Sequence, residues 1–149
     1  MTPEPRSGEQ RKHDILERLT EDVDAWVATA DAAGMPHLVP LSFLWDGAAL
    51  TFATAGDSPA GRNLRDSGRA RVALGHTRDV VLIDGAVEVL AAARVPDDLA
   101  DAFAAKLWDA RAAGNRWTFF RVTPDRILAW REENELPGRV MMRDGSWVV

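Results

Sequence analysis

A mainly β chain that closes, fully or partly, into one small antiparallel barrel is the architecture this sequence predicts. Three observations carry it. Six or more segments rich in Val, Leu, Phe and Trp are punctuated by Gly-containing turns, two helical segments are inserted among them, and no β-α-β alternation occurs. A barrel this small fills its interior with side chains, so a cofactor would sit outside it, in a crevice between subunits.

The first element is a short amphipathic helix from about Glu9 to Leu19, where Ile15, Leu16 and Leu19 share a face. The period then changes. Asp24 to Ala30 and Met35 to Trp45 read as strands joined by a turn at Ala33-Gly34, and Asp46-Gly47 leads as a two-residue hairpin turn into a third strand, Ala48 to Thr54. Ser58 before Pro59 suits an N-cap followed by proline in the first helical turn, and Gly68 suits the stop, so a helix is expected over Pro59 to Ser67. Strands follow at Ala70 to Gly75 and Val80 to Leu90; Asp84-Gly85 reads as a bulge in one long strand in preference to a hairpin turn. A second inserted helix opens with Pro96, Asp97 and Asp98, carries Leu99, Phe103, Leu107 and Ala110 on its apolar face, and ends at Gly114. Trp117 to Val122 and Ile127 to Arg131 are read as two strands, and Val140 to Val149 as a last hairpin around Asp144-Gly145.

With 149 residues, 46% of them apolar, the chain supports one core. The polar start, with Pro3, Pro5 and Gly8, lacks the apolar stretch of a signal peptide; residues 1–10 read as a disordered leader and residues 11–149 as a single domain. No cysteine is present, which removes disulfides and thiolate metal sites and makes the cytoplasm the expected location. A net charge of −5 argues against nucleic-acid binding, which needs clustered cations, and no apolar run approaches the roughly 20 residues that span a bilayer. Lys12 and Lys106 are the only lysines; the arginine bias suits bidentate grip on phosphate, but a GC-rich genome is the preferred explanation for it.

Thr54-Ala55-Gly56-Asp57-Ser58-Pro59-Ala60-Gly61-Arg62-Asn63 runs from a strand into a helix N-terminus, where free N–H groups and the dipole favour an anion. It reads either as a phosphate cradle or as a plain cap with a solvated arginine. Hydrolysis is not supported: Pro59 follows Ser58 where an oxyanion-hole glycine would stand, and G-x-S-x-G is absent. His13 and Glu17 have helical metal-pair spacing, but two exposed ligands make a weak site, so no metal is expected. No dinucleotide or Walker fingerprint occurs. Most of the six tryptophans are expected as core or interface anchors.

Four stretches, taken in order, resemble the pyridoxamine 5′-phosphate oxidase-like family of flavin-binding split barrels. They are Gly34-Met35-Pro36-His37-Leu38-Val39-Pro40-Leu41; Thr54, Ser58, Arg62, Asn63 and Leu64; Arg71-Val72-Ala73-Leu74 with Asp84-Gly85-Ala86-Val87-Glu88-Val89; and Pro124-Asp125-Arg126-Ile127-Leu128-Ala129-Trp130. The resemblance implies a six-stranded antiparallel split β-barrel with an N-terminal helix and two inserted helices. It also implies a homodimer with FMN at the subunit interface. Thr54, Ser58 and Arg62 would hold the flavin phosphate at the head of the Asn63 helix. The backbone of Leu38, Val39, Pro40, Leu41 and Ser42 would face the ring, and Trp130 would approach from the second subunit.

Departures from the family pattern narrow the activity. Ala60 stands where the oxidases carry a basic residue, Met141 stands two positions after Arg139 where they place a histidine, and tyrosine is absent. Pyridoxamine phosphate oxidation is therefore not expected. The leading expectation is an FMN-dependent oxidoreductase acting on a small molecule, with the chemistry on the flavin and no catalytic side-chain acid or base. A coenzyme F420-dependent reductase and a non-catalytic flavin- or haem-binding protein are the alternatives.

Overall fold

The computed structural model describes all residues, Met1 to Val149. Helix α1 spans Gly8–Glu21, followed by strands β1 (Asp24–Ala30), β2 (Pro36–Trp45) and β3 (Leu50–Ala55). Helix α2 (Pro59–Ser67) leads to β4 (Arg69–Leu74) and β5 (Val80–Ala91), helix α3 covers Asp97–Lys106, and β6 runs over Trp117–Trp130. A short hairpin, β7 (Val140–Arg143) and β8 (Ser146–Trp147), completes the chain.

All strand pairs are antiparallel, in the order β3-β2-β1-β4-β5-β6-β7-β8, and a further β3–β6 pairing closes the first six strands into a barrel. The split-barrel expectation is therefore met. Inward positions alternate as the pleat requires: Ala25 and Val27 on β1, Ala70, Val72 and Leu74 on β4, and Val81 and Ile83 on β5 are buried. Two helices close the ends. Antiparallel pairing puts the start of β1, the end of β4 and the start of β5 at one end, where Arg18 of α1 donates to the Asp79 carbonyl and Ile15 and Leu19 join the main core. The end of β3 lies at the opposite end, where α2 inserts Leu64 into the same core.

Three sequence expectations change. The strands expected at Trp117–Val122 and Ile127–Arg131 are one strand, because the interruption at Pro124-Asp125 is a bulge. Asp84 pairs with Arg126 and Gly85 with Pro124, which leaves Asp125 as the extra residue, and the inward phase of β6 switches from Phe120 and Val122 to Ile127 and Ala129. Proline, with no N–H to give the ladder, is accommodated at such a point. The bulge read at Asp84-Gly85 is present. A β-carbon on Gly85 would land on the Thr123 carbonyl oxygen and lie 2.8 Å from Cγ1 of Val122.

The second inserted helix stops at Lys106 instead of reaching Gly114. Leu107 leaves helical geometry (φ −122°, ψ −82°), and Trp108 turns back to meet Phe103 at 6.5 Å and Trp117 at 4.9 Å, both edge-on. Tertiary aromatic packing thus overrides a periodic sequence pattern. The leader is shorter than residues 1–10: Ser7 caps α1 through Gln10 N, and Arg6 is held by Glu135 and Asp14. The last hairpin turns at Asp144-Gly145, both with positive φ, as a type I′ turn demands.

Candidate functional site

The β3–α2 junction is built from short-range chemistry. Ser58 Oγ accepts from Gly61 N at 3.0 Å and donates to the Ala55 carbonyl at 2.7 Å, fixing the first turn of α2 against the strand it leaves. Gly61 permits this approach, since a β-carbon there would land on the Ala55 carbonyl oxygen and lie 2.9 Å from that of Gly56. Gly68, in the left-handed conformation at φ 65°, ends the helix.

Of the residues assigned to phosphate binding, Arg62 is exposed on the first turn and has no carboxylate within 4.0 Å. Arg65, one turn on, gives one N–H to the Gly56 carbonyl at 3.2 Å and also lacks a carboxylate partner. Helix α2 therefore carries two cations whose charge is not neutralised within the protein, Arg62 on its first turn and Arg65 on its last. Thr54 is buried opposite Thr118 in the β3–β6 ladder. Ser58 is engaged in capping, and Asn63 uses its Nδ2 on Thr29 Oγ1 at 3.1 Å, which ties α2 to β1. In the single chain, Arg62 alone of these side chains is free to bind an anion.

Arg62 and Asn63 open onto a cleft of about 520 Å³ whose other wall is the β1–β2 turn, with Asp31, Pro36 and His37. Asp31 is occupied there, its Oδ1 accepting from the N–H groups of Ala33 and Met35. Asp66, one turn beyond Arg62 on the same helix face, also lines the cleft. Sequence reading passed over it, although the i, i+4 spacing was visible.

Strand β2 borders this region with a free edge. It pairs with β1 along Pro36–Ser42 but with β3 only from Phe43 to Trp45, so the other edge of Leu38–Ser42 has no strand beside it. Backbone N–H and C=O groups on such an edge are the donors and acceptors a planar heterocycle needs. The side chains of Leu38 and Pro40 point outward and are exposed; Val39 and Leu41 are half-buried on the opposite face, and Ser42 Oγ donates to Asp24 at 2.7 Å.

Trp130 lies elsewhere. It pairs with Val80 at the far end of the barrel, whereas Trp117, at the other end of β6, pairs with Ala55 beside the cradle. Twelve residues of strand lie between them, a contour of about 40 Å at roughly 3.3 Å per residue. The segment after Trp130 is locked by arginines from the start of the chain: Arg6 makes paired contacts to Glu135 (2.8 and 3.0 Å), while buried Arg11 donates to the carbonyls of Ala129, Glu135 and Gly138. The Arg6 hydrogen bonds, against the opposing effect of burial, hold the Glu135 carboxyl down at about 2. Nothing in the sequence pattern flagged this cluster, because its members lie more than 100 residues apart.

An apolar row crosses the outer face of the sheet. Pro40, Trp26, Ala73, Leu82 and Leu128 are successive partners on five strands, and Trp26 remains 46% exposed. His13 and Glu17 meet at 3.4 Å, both well exposed. No helix is long and apolar enough to cross a membrane.

The sequence model of a family described as pyridoxamine 5′-phosphate oxidase matches residues 12–131. Solved structures share the fold at low identity. The haem storage protein HutZ from Vibrio cholerae superimposes with a TM-score of 0.65 at 14% identity, covering 91% of this chain and 98% of its own. An FAD-binding protein from Mesorhizobium loti gives 0.61 at 21% identity (78% and 89% covered), and an F420 reductase gives 0.58 at 18% identity (74% and 93%). No curated protein matches the chain.

Proposed function

The chain belongs to the pyridoxamine 5′-phosphate oxidase family, and from that premise we propose that it is a homodimeric FMN-dependent oxidoreductase acting on a small molecule. The observation that supports this best is a juxtaposition: the unneutralised Arg62 guanidinium at the head of α2 shares a cleft with Pro36 and His37, at the start of the strand whose Leu38–Ser42 edge is strandless. One feature suits a phosphate and the other suits the polar rim of an isoalloxazine ring. Arg62 is the residue assigned to the phosphate, with the N–H groups of the first α2 turn beside it. The bound flavin supplies the hydride chemistry; the protein's part is to anchor, orient and shield it.

The same geometry supports a dimer. Trp130 and Arg62 lie at opposite ends of one barrel, so a ring held by both requires a second copy packed with its barrel reversed. The row Pro40, Trp26, Ala73, Leu82 and Leu128 is the surface an isologous pairing would bury. FMN is favoured over coenzyme F420 by the charge of the cleft. A single phosphate matches Arg62, whereas an acidic tail would pass Asp31 and Asp66.

The test is a parallel absorbance and fluorescence titration of the protein with FMN and with F420, repeated with Arg62→Ala. Tighter binding of FMN, weakened about tenfold or more in the variant, supports the assignment. Equal affinity of wild type and variant refutes the cradle, and a monomer by light scattering refutes the shared site. Reduction of bound FMN by a nicotinamide donor separates an enzyme from a binding protein.

A further inference from the structure

The cleft that holds Arg62 is short of positive charge for the ligand assigned to it. A phosphate monoester carries about −1.5 to −2 at neutral pH. Against this the cleft sets one guanidinium and the partial positive charge of a helix head, while Asp31 and Asp66 on its walls have the opposite sign. Arg65 does not line the cleft, its guanidinium being drawn to the Gly56 carbonyl, and the two lysines lie on α1 and α3.

One other side chain of the cleft belongs to a type that takes up positive charge near neutral pH, and it is His37. Strand register sets its direction. His37 is the cross-strand partner of Thr29, and such partners share a face of the sheet. Thr29 is buried and contacts the Asn63 amide at 3.1 Å, so that face is the one α2 covers. The imidazole is half-buried there and has no carboxylate within 4.0 Å, since the chain's one histidine–carboxylate contact belongs to His13. The charged groups that share its cleft are Asp31 from the β1–β2 turn and Arg62 and Asp66 from α2.

We infer that His37 is the second cation on the phosphate of FMN, and that FMN binding draws a proton onto its imidazole. This rests on the flavin reading of the cleft. The phosphate is held between the guanidinium of Arg62 on α2 and an imidazolium on β2, the strand whose free edge is assigned to the ring. The proton comes from solvent and returns to it when the phosphate leaves. Asp31 and Asp66 favour the same protonated form, as opposite charges do. A bound anion that moves a histidine's titration upward strengthens binding at low pH, and the gain is lost as pH rises through the bound-state midpoint.

The experiment measures the affinity of the full chain for FMN and for riboflavin at about pH 7 and about pH 8.5. Both values lie above the second ionisation of a phosphate monoester, near 6, and arginine and aspartate keep their charge between them. An upward move of about one pH unit or more in the imidazole titration weakens FMN binding about threefold or more across that interval. Riboflavin, which lacks the phosphate, should show no such weakening. His37→Gln should bind FMN with a flat profile while keeping the thermal midpoint of wild type. Ring-proton resonances of the labelled wild-type chain give a reading that needs no variant: the His37 titration should move up by about one pH unit or more on saturation with FMN. A flat FMN profile in wild type, an equal weakening of riboflavin, an unchanged slope in His37→Gln, or an unmoved His37 titration overturns the inference and leaves the flavin reading standing. FMN that binds at neither pH overturns both.

Discussion

Replacing Glu135 with glutamine should destabilise the protein at neutral pH, and by a smaller margin as the pH falls towards 3.5. Glu135 is buried at 3% exposure and accepts from Arg6 N, Arg6 Nε, Arg6 Nη2 and Arg131 N. Its carboxyl titrates at about 2 in the folded chain against 4.5 ordinarily. A carboxylate with a lowered folded pKa contributes stability that is complete above the unfolded value and is lost as pH falls through the folded one. At about 1.4 kcal/mol per pH unit, the contribution is about 3 kcal/mol at neutral pH and roughly 2 kcal/mol near pH 3.5. Glutamine keeps one acceptor but turns an amide towards the Arg6 guanidinium, so most of this is lost. Urea unfolding of both proteins near pH 7 and near pH 3.5 measures it. The gap between them should narrow by about 1 kcal/mol or more on acidification. A gap of equal size at both values, or one under about 0.5 kcal/mol at neutral pH, would falsify the ion-pair account.

Two glycine substitutions test the packing that shapes the site. Gly61→Ala gains about 1 kcal/mol of helix propensity but drives a β-carbon into the carbonyls of Ala55 and Gly56. A lower thermal midpoint together with weaker FMN binding is expected, and a raised midpoint would show that α2 is not seated on the end of β3. Gly85→Ala meets the Thr123 carbonyl and Val122 across the bulge and should cost about 1–3 kcal/mol in denaturant unfolding; an unchanged midpoint would count against the register described.

Local chemistry was legible wherever neighbours in sequence are neighbours in space. Ser58, Pro59 and Gly68 specified α2 at both ends, Asp46-Gly47 and Asp144-Gly145 specified their turns, and Gly85 marked a point where backbone approaches backbone. The order of strands and helices, and so the barrel, followed from that punctuation. The continuity of β6 through Pro124 did not, because a proline at a bulge and a proline ending a strand look alike until the partner strand is known. Nor did the end of α3, where the apolar period ran on but the Phe103, Trp108 and Trp117 rings packed more favourably with the chain reversed.

The candidate site divides in the same way. From sequence came the helix head and its arginine, since capping and anion affinity depend on a few consecutive residues. Tertiary structure decided that Asn63 and Ser58 have structural partners while Arg62 has none, and that β2, whose first residues share the Arg62 cleft, keeps a free edge along Leu38–Ser42. It also decided that Trp130 stands at the opposite end of the barrel, held by Arg6 and Arg11. These are relations between residues far apart along the chain, set by strand register and barrel closure, and no local pattern of propensity or spacing encodes them.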